Sequence, residues 1–173
     1  MPKRRDDAPS IALRAAAVAD AAQIRAWDEK PHVIEAGGAW YEFDWAAEIA
    51  RDVDWREFRI AELDGRAIGV VQIIDPAREE TGYWGDVAPN LRAIDIWIGE
   101  EDCLGRGFGT QMMRAALDRC FASGADAVLI DPLARNTRAH RFYERFGFRF
   151  VERRLFDEDD CFVYKLNSKE WRK

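Results

Sequence analysis

The feature that most constrains this 173-residue sequence is a glycine-rich segment between an apolar run at 94–99 and a helical pattern. The segment reads Leu104-Gly105-Arg106-Gly107-Phe108-Gly109-Thr110. Glycines let the backbone approach a ligand closely, and a helix N-terminus presents four unpaired N–H groups with a partial positive charge. We therefore interpret 104–110 as a cradle for a diphosphate. The alternative is an ordinary tight turn before a core helix.

Two familiar phosphate-binding patterns fit this segment poorly. The nucleoside-triphosphate loop requires Lys-Ser or Lys-Thr after its last glycine, whereas Gly109 is followed by Thr110-Gln111. The dinucleotide-binding pattern requires a third glycine where Thr110 stands, and it normally lies in the first strand–helix unit of a chain. The spacing therefore favours a different kind of diphosphate site.

A second patterned stretch lies at 136–148. Asn136 is a good helix N-cap and Gly147 is a good residue to follow a helix C-terminus. Between them, one apolar stripe is formed by Ala139, Phe142, Tyr143 and Phe146. Without any comparison, the stretch predicts a capped amphipathic helix with an aromatic face.

Together the two stretches resemble the signatures of the GCN5-related N-acetyltransferases (GNAT). The loop resembles R/Q-x-x-G-x-G/A, with Gly107 and Gly109 at the glycine positions and Leu104 replacing Gln or Arg. Residues 136–148 resemble Asn-x-x-Ala-x-x-x-Tyr-x-x-x-Gly-Phe. The resemblance, which covers about 91–166, implies an α+β fold of three α/β-like layers. Its mixed central sheet of six to seven strands is splayed in the middle and flanked by about four helices.

The resemblance also implies a coenzyme site for acetyl-coenzyme A as co-substrate, with no metal. Backbone N–H groups around Trp97 and Ile98 would hold the acetyl carbonyl, and Tyr143 would protonate the departing thiolate. The alternative is that Tyr143 is one more aromatic of the stripe. The implied coenzyme-binding residues are Trp97, Ile98, Leu104, Gly105, Arg106, Gly107, Phe108, Gly109, Thr110, Asn136, Arg141 and Tyr143.

A carboxylate, Asp95, interrupts the apolar run before the loop. Burial would raise its pKa toward the range of a general base. A carboxylate that holds an ammonium also raises the pKa of that amine, so Asp95 must mainly bind substrate or pass the proton to water. The alternative is a structural salt bridge with Arg92 or another basic group.

Several residues indicate a polycationic acceptor, and their pattern is similar to that of the aminoglycoside 6′-N-acetyltransferases. That subfamily also has leucine where Leu104 stands, and it holds ammonium groups with carboxylates matching Asp95 and Asp131. The implied acceptor residues are Trp27, His32, Tyr83, Trp84, Asp95, Asp131, Asp159 and Asp160. The alternatives are a structural His32, core positions for Tyr83 and Trp84, and a solvated hairpin tip at 157–160.

Composition narrows the class of protein. The net charge of −6 argues against nucleic acid as a partner and suits a cationic small-molecule amine. No apolar run approaches the ~18 residues of a membrane helix, and 1–10 does not resemble a secretory signal. The three cysteines, which cannot all pair within one chain, indicate reduced thiols and a cytoplasmic location. The chain is expected to be a monomer or a homodimer.

Taken in order, the pattern predicts one domain over 11–168 after a disordered segment 1–10. A strand at 11–15 precedes a helix that starts with an Asp20/Gln23 capping box, and a loop or broken helix follows at 28–43. Asp44 begins a helix through Val53. A hairpin with an Asp64-Gly65 turn joins 58–63 to 68–74. After the glycine loop come strands at 127–130, 148–155 and 161–166.

Other functions share these signatures. Related enzymes acetylate hydroxylysine in siderophore synthesis, polyamines or protein N-termini, and fold similarity cannot choose among them. A coenzyme A-binding domain that has lost turnover is a further alternative. The expected activity is acetyl transfer to a primary amine of a cationic small molecule, an aminoglycoside 6′-amine among the candidates.

Overall fold

The computed structural model describes residues 9–37 and 42–171, which form a mixed seven-stranded sheet with five α-helices. In chain order these are β1 (Ile11–Ala15), α1 (Ala21–Asp28), α2 (Pro31–Gly37), α3 (Trp45–Ala50), β2 (Arg56–Leu63), β3 (Arg66–Ile74), β4 (Leu91–Ile98), α4 (Phe108–Ala122), β5 (Ala127–Ile130), α5 (Thr137–Arg145), β6 (Arg149–Phe156) and β7 (Asp159–Asn167). The expected fold class is confirmed. The sequence predicted about four helices, and the additional one is α2. It lies in the segment for which the sequence indicated a loop or broken helix.

The sheet divides between its two central strands. The strand order is β1-β2-β3-β4-β5-β7-β6, and only β4 and β5 are parallel. Their pairing covers Leu91↔Ala127 to Ala93↔Leu129, whereas β4 continues to Ile98 and β5 ends at Ile130 beside Tyr164 of β7. The C-terminal ends of β4 and β5 therefore diverge and leave a gap, which confirms the predicted splay.

Alternation along β4 sends its side chains to two differently packed faces of the sheet. Ile94, Ile96 and Ile98 pack with the buried side chains of α4 and with the aromatic stripe of α5. On the opposite face, Trp97 packs with α1 and α3, and Ala93 packs with the loop that precedes β4. Asp95 points to this second face, so the gap connects a face covered by α4 and α5 with a face that carries Asp95.

Local details agree with the sequence at the first hairpin and differ at the second. Asp64 and Gly65 have φ values of 51° and 81°, as a two-residue hairpin turn requires. The acidic hairpin also has a two-residue turn, because Phe156 already pairs with Asp159. Asp159 and Asp160 therefore belong to β7 and not to a four-residue turn.

Two helix starts also differ in detail from the expectation. Asp44 caps α3 as predicted, accepting from the amide of Ala47 at 3.1 Å, but the helix ends at Ala50 before reaching Val53. Asp20 precedes α1 without capping it, since its carboxylate accepts from the amide of Ala17 and pairs with Arg14. The predicted capping box with Gln23 is therefore wrong, because a nearby cation and an upstream amide take the carboxylate.

Some expectations fall partly outside the described residues. Residues 1–8 lie outside them, as do Trp40 and Tyr41 of the aromatic segment. Of the segment 1–10, Pro9 accepts a hydrogen bond from Gln111 at 3.2 Å. Among the described helices none is long and apolar enough to cross a membrane. The domain bounds and the cytoplasmic location stay predictions.

Candidate active site

The glycine segment forms a turn that leads into α4 and leaves the first amides of that helix uncapped. Gly105 and Gly107 have φ values of 68° and 84°, a region that favours glycine. Gly107 is the N-cap of α4, and no side chain caps this helix start. The first amides of α4 therefore keep the unsatisfied donors and the partial positive charge that favour a phosphate group. A Cβ on Gly109 would lie 3.7 Å from Ile98 and 3.9 Å from Phe142, which places the helix start beside β4 and α5.

Arginines without a carboxylate partner lie in the glycine segment, on α4, and on or just before α5, and Arg145 stacks on the Phe142 ring beside the start of α4. Twelve of the arginines that the structure describes form ion pairs, and the ones that form none all lie between 106 and 145. Arg138 and Arg145 flank Phe142 along one face of α5, one turn to either side. Within 9–37 and 42–171, the arginines without an ion pair are Arg106, Arg114, Arg135, Arg138, Arg141 and Arg145. In a chain of net charge −6, this local excess suits a polyanionic ligand.

The end of β4 exposes backbone groups to the gap. The Gly99 amide donates to the Ile68 carbonyl, so the alternation of an antiparallel pair directs the Trp97 backbone toward β3 and the Ile98 backbone away from it. Beyond Ala93, β5 no longer pairs with β4 on that side. Of the two amides that the resemblance implied, the one at Ile98 thus faces the gap. His32 Nε2 lies 3.0 Å from the Ile98 carbonyl oxygen.

Asp95 is half-buried on β4 and hydrogen bonded to a neighbouring strand. Gln72 donates its Nε2–H to Asp95 Oδ2 at 2.9 Å. Burial, together with the negative charge of Asp131, raises the pKa of Asp95 to about 7, and the hydrogen bond from Gln72 opposes this shift. The alternative of a salt bridge with Arg92 is not formed, because Arg92 pairs with Asp75 at 3.7 Å.

Asp131 lies directly after β5, on the other side of the gap from Asp95. It accepts a hydrogen bond from the Tyr83 hydroxyl at 2.6 Å. Burial raises the pKa of Asp131, and the bond from Tyr83 opposes that effect. Among the described residues, neither Asp95 nor Asp131 forms an ion pair with a lysine, arginine or histidine. The charge of Arg154 also acts on Asp131 without forming an ion pair. Two close carboxylates that lack an ion-pair partner are suited to hold a cationic ligand.

Tyr143 of α5 connects the two faces of the gap. Its ring packs with Phe142 and Phe148, at centroid distances of 5.3 and 5.9 Å. Burial and then the negative charges of Asp95 and Asp131 raise the pKa of the Tyr143 phenol. The phenol is therefore close enough to both carboxylates to sense them, and it stays protonated at neutral pH.

Comparison with known proteins identifies the family to which this chain belongs. A family model described as "Acetyltransferase (GNAT) domain" matches residues 16–156. The chain belongs to the GNAT acetyltransferase family. This confirms the resemblance that the two sequence signatures carried, and the protein is an acetyltransferase enzyme.

The relatives of this chain within the GNAT family include enzymes with two kinds of acceptor. An aminoglycoside N(6')-acetyltransferase type 1 from Klebsiella pneumoniae is 28% identical over 80% of this chain and 74% of that protein. A lysine N-acyltransferase, MbtK, from Mycolicibacterium paratuberculosis is 30% identical over 83% of this chain and 67% of that protein. The crystal structure of aminoglycoside acetyltransferase AAC(6')-Ib in complex with coenzyme A has a TM-score of 0.83 and 26% identity, covering 93% of this chain and 96% of that one.

Two aromatic residues expected at the acceptor site of this GNAT enzyme are core residues instead. Trp27 is 0% exposed, packs against Gly99 and donates its ring N–H to Glu100 at 2.7 Å. Trp84 is 3% exposed and packs beside Phe156. Neither ring can contact an acceptor in this conformation. Tyr83 differs, because it is 43% exposed and its hydroxyl is bound to Asp131.

The two acidic residues expected at the acceptor site from the β6–β7 hairpin have different surroundings. Asp160 pairs with Arg153, at 2.7 Å from Arg153 Nε, and this pairing lowers the pKa of Asp160. Asp159 is exposed, and its charge contributes to the raised pKa of Asp131. Asp159 therefore lies close enough to Asp131 to act on its charge, whereas Asp160 already has a cation.

Asn136, expected to bind coenzyme, uses both ends of its amide within the protein. Its oxygen accepts from the Ala139 amide at 3.0 Å and so caps α5, while its nitrogen donates to the Ala36 carbonyl at 2.8 Å. Arg141, on the same helix, is exposed and has no ion pair. The described residues contain no cluster of His, Cys, Asp or Glu side chains able to hold a metal ion.

The sequence did not indicate Gln72 as a site residue. It lies within the apolar β3 strand, is 7% exposed, and is the direct cross-strand partner of Asp95. A polar residue inside the run Ile68 to Ile74 was the available signal. That signal was ambiguous, because a lone glutamine in a strand is also common at exposed edges.

Proposed function

We propose that this enzyme transfers the acetyl group of acetyl-coenzyme A to a primary amine of a polycationic small molecule, with an aminoglycoside 6′-amine as the leading candidate. The observation that carries the proposal is the pair of carboxylates, Asp95 and Asp131, at the gap between β4 and β5, neither of which forms an ion pair among the described residues. A ligand with two or more ammonium groups would supply the missing positive charge. The kinship with aminoglycoside acetyltransferases supports this choice.

The coenzyme fits the opposite face of the gap. Uncapped amides at the start of α4, two glycines with positive φ and arginines free of ion pairs form a site suited to a diphosphate. Solved structures of similar proteins contain coenzyme A. When bound, acetyl-coenzyme A would supply the activated acyl group as a thioester. The amide of Ile98, facing the gap, would donate to the developing oxyanion, an effect worth ~3–4 kcal/mol for a preorganised donor.

The proton balance assigns roles to three side chains. A bond forms between the amine nitrogen and the acetyl carbon, and the bond from that carbon to sulfur breaks. Starting from the bound ammonium, the nitrogen loses two protons, the first before the attack and the second as the amide forms. The sulfur gains one proton, and the other is released to water. Asp95 would hold the ammonium and receive its proton, or pass it to water, because its pKa of about 7 allows both states near neutral pH.

Tyr143 would donate to the departing sulfur. Its raised pKa keeps the phenol protonated at neutral pH, but it also weakens the phenol as an acid. The transfer of its proton therefore depends on the thiolate charge developing at the same time. Asp131 would not exchange protons with the reacting atoms; its part is to hold a second ammonium group of the acceptor.

A thiol-release assay with acetyl-coenzyme A and a panel of amines tests the proposal. We expect the highest kcat/KM for kanamycin or tobramycin, and a KM for them that rises at least tenfold in Asp131→Asn. Asp160→Asn is the matched control, because Asp160 is already paired with Arg153 and its loss should change KM less than twofold. Coenzyme binding by calorimetry without turnover on any amine would contradict catalysis and favour a binding domain.

A second candidate acceptor is a lysine or hydroxylysine side chain. The specific observation in its favour is the 30% identity to the lysine N-acyltransferase MbtK. Such a substrate carries a carboxylate beside its α-amine, which Asp95 and Asp131 would repel. Free lysine and hydroxylysine therefore belong in the panel, and a kcat/KM for either that exceeds the value for kanamycin would select this function instead.

A further inference from the structure

Gln72 is the uncommon feature of β3, because its side chain is buried and only half satisfied. Its Nε2 donates to Asp95, while its Oε1 is buried and has no hydrogen-bond partner among the residues that the structure describes. The only other polar or charged residues buried in the described part of the chain are Asp28 and His140. A buried amide oxygen without a partner is unfavourable, so a glutamine at this position requires a reason other than stability.

The orientation of the amide matters for the charge on Asp95. Donation from Nε2 suits an ionised carboxylate, which accepts hydrogen bonds and offers none. The reversed amide would place its oxygen against Asp95, an arrangement that only a protonated carboxyl can satisfy. Reversal would also leave the two N–H donors of the amide in the pocket where Oε1 now lies without a partner. The observed orientation is therefore the one that favours ionised Asp95.

The surroundings of Asp95 otherwise oppose its ionisation. Asp131 approaches from the end of β5, the Tyr143 phenol from α5, and the Tyr83 phenol from the loop before β4. The nearest basic residue on its own strand, Arg92, is paired with Asp75. Within the described residues, Gln72 is thus the group that brings positive polarity to Asp95 by a hydrogen bond.

We propose that Gln72 is a positioning residue, which holds Asp95 ionised and oriented at the gap so that this carboxylate can bind the acceptor ammonium at neutral pH. The cross-strand pairing of Gln72 with Asp95 fixes the two side chains opposite each other. Gln72 acts through Asp95 and requires no contact with the substrate. The inference rests on the proposed function only for its consequence in catalysis, since the hydrogen bond exists without acceptor.

The direct test is an NMR titration of the Asp95 carboxyl carbon in the protein without acceptor or coenzyme, assigned with Asp95→Asn. In Gln72→Met, which keeps the side-chain length but removes the donor, we expect the titration midpoint of Asp95 to rise by about one pH unit. Val70→Ala is the matched control, because Val70 is buried on the same face of β3 and makes no polar contact. An unchanged midpoint in Gln72→Met, or an equal rise in Val70→Ala, would overturn the inference.

A measurement on the unaltered protein covers the case in which Gln72→Met does not fold. The side-chain amide proton of Gln72 should shift downfield as Asp95 loses its proton, with the same midpoint as the Asp95 carbon. A Gln72 amide signal that is independent of this titration would show that the two groups are not coupled, and the inference would fail.

Kinetics separate this inference from the proposed function. With kanamycin as acceptor, Gln72→Met should raise KM about tenfold at pH 6.5 and less than twofold at pH 8.5, because Asp95 is ionised in both proteins at the higher pH. A merely structural effect would change KM by the same factor at both pH values and would contradict the inference. A shifted NMR titration without turnover on any amine would leave the role of Gln72 intact and refute the proposed function.

Discussion

Polar side chains within apolar surroundings distinguish the site at the level of single residues. Asp28 is fully buried, but its carboxylate accepts from the Trp45 ring N–H at 2.6 Å and so joins α1 to α3. His140 is buried and bonds to the Ala134 carbonyl at 3.0 Å. Burial raises the pKa of Asp28 as well as that of Asp95, but Asp95 differs because it lies at a gap that gives a ligand access to it. A carboxylate with these properties is a functional candidate.

Replacement of Tyr143 by phenylalanine tests its role as a proton donor. Tyr143→Phe keeps the ring that packs against Phe142 and Phe148, and it removes only the hydroxyl. We expect kcat to fall about a hundredfold, as for the loss of a general acid, with the Kd for acetyl-coenzyme A changed less than about twofold. Stopped assays across pH 6 to 9 measure kcat, and calorimetry measures Kd. An unchanged kcat at every pH would remove Tyr143 as the acid.

Asp95 should lower the free energy of unfolding at pH values at which its carboxylate is ionised. Its folded-state pKa of about 7 lies above the ~3.9 of an unfolded chain, so the folded state binds this proton more tightly. The free energy of unfolding therefore falls as the pH rises from about 4 to 7, and the full cost applies above pH 7. Asp95→Asn should raise it at pH 8 by on the order of 1–2 kcal/mol, a figure reduced for solvent screening because Asp95 is only partly buried.

Urea unfolding at pH 5 and pH 8 measures this effect of Asp95→Asn. The gain should be larger at pH 8, and the amide keeps an acceptor for the Gln72 N–H. The same variant should lose activity toward polyamine acceptors, which would be a direct case of a site residue that costs stability. A destabilised Asp95→Asn protein at pH 8 would contradict the raised pKa.

At the level of elements, α4 carries the coenzyme site at one end and an ordinary helix stop at the other. Gly107 begins the helix with φ of 84°, and Gly124 follows its end with φ of 87°. Both positions require the left-handed region, which costs other L-residues roughly 1–2 kcal/mol. The two glycines thus have the same backbone geometry, but only Gly107 adjoins the amides that we assign to the diphosphate.

Because Gly107 and Gly124 have similar φ values, Gly124 serves as a control for substitution of Gly107. Gly107→Ala and Gly124→Ala should each lower the free energy of unfolding by about 1–2 kcal/mol, because neither Cβ meets another atom within 4 Å and the backbone strain is equal. Only Gly107→Ala should weaken acetyl-coenzyme A binding, by about tenfold or more, measured by calorimetry. Equal coenzyme affinities in the two variants would mean that the loop does not hold the diphosphate.

At the level of the whole molecule, the sheet is two packed halves that meet along a short parallel pairing. Beyond Ala93 no strand pairing joins β4 to β5 in the described residues, so other contacts must set the width of the gap. One of them is the hydrogen bond from Asn136 Nδ2 to the Ala36 carbonyl, which joins the start of α5 to α2 on the other half. The cap of one helix therefore also links the two sides of the site.

The variant Asn136→Asp separates the capping of α5 from the hydrogen bond to Ala36. Aspartate still caps α5 by accepting from Ala139, but it cannot donate to Ala36 and presents an oxygen there instead. We expect faster amide hydrogen exchange over α2, residues 31–37, with a loss of about 1 kcal/mol in stability. Asp44→Asn at the start of α3 is a control that keeps a capping side chain. Unchanged exchange over α2 would show that the bond does not couple the halves.

The sequence by itself determined the features that depend on near neighbours along the chain. Asp64-Gly65 specified a hairpin turn, Asp44 and Asn136 specified helix starts, and Gly147 specified the end of α5. Periodicity and turn chemistry act over a few residues, so the order of strands and helices followed from them. The gap and the GNAT family followed from two signatures in that order.

Only the tertiary structure decided which candidate side chains reach the gap. Trp27 and Trp84 were candidates for acceptor binding but fill the core, an alternative that the sequence left open for Trp84, and Asp160 has Arg153 as its cation. In the sequence Gln72 is a single polar residue in an apolar strand, whereas in the structure it donates a hydrogen bond to Asp95. Burial and pairing between residues distant in sequence depend on where β4 and β5 separate. That position is set by the packing of both halves of the sheet, and no local pattern in the chain encodes it.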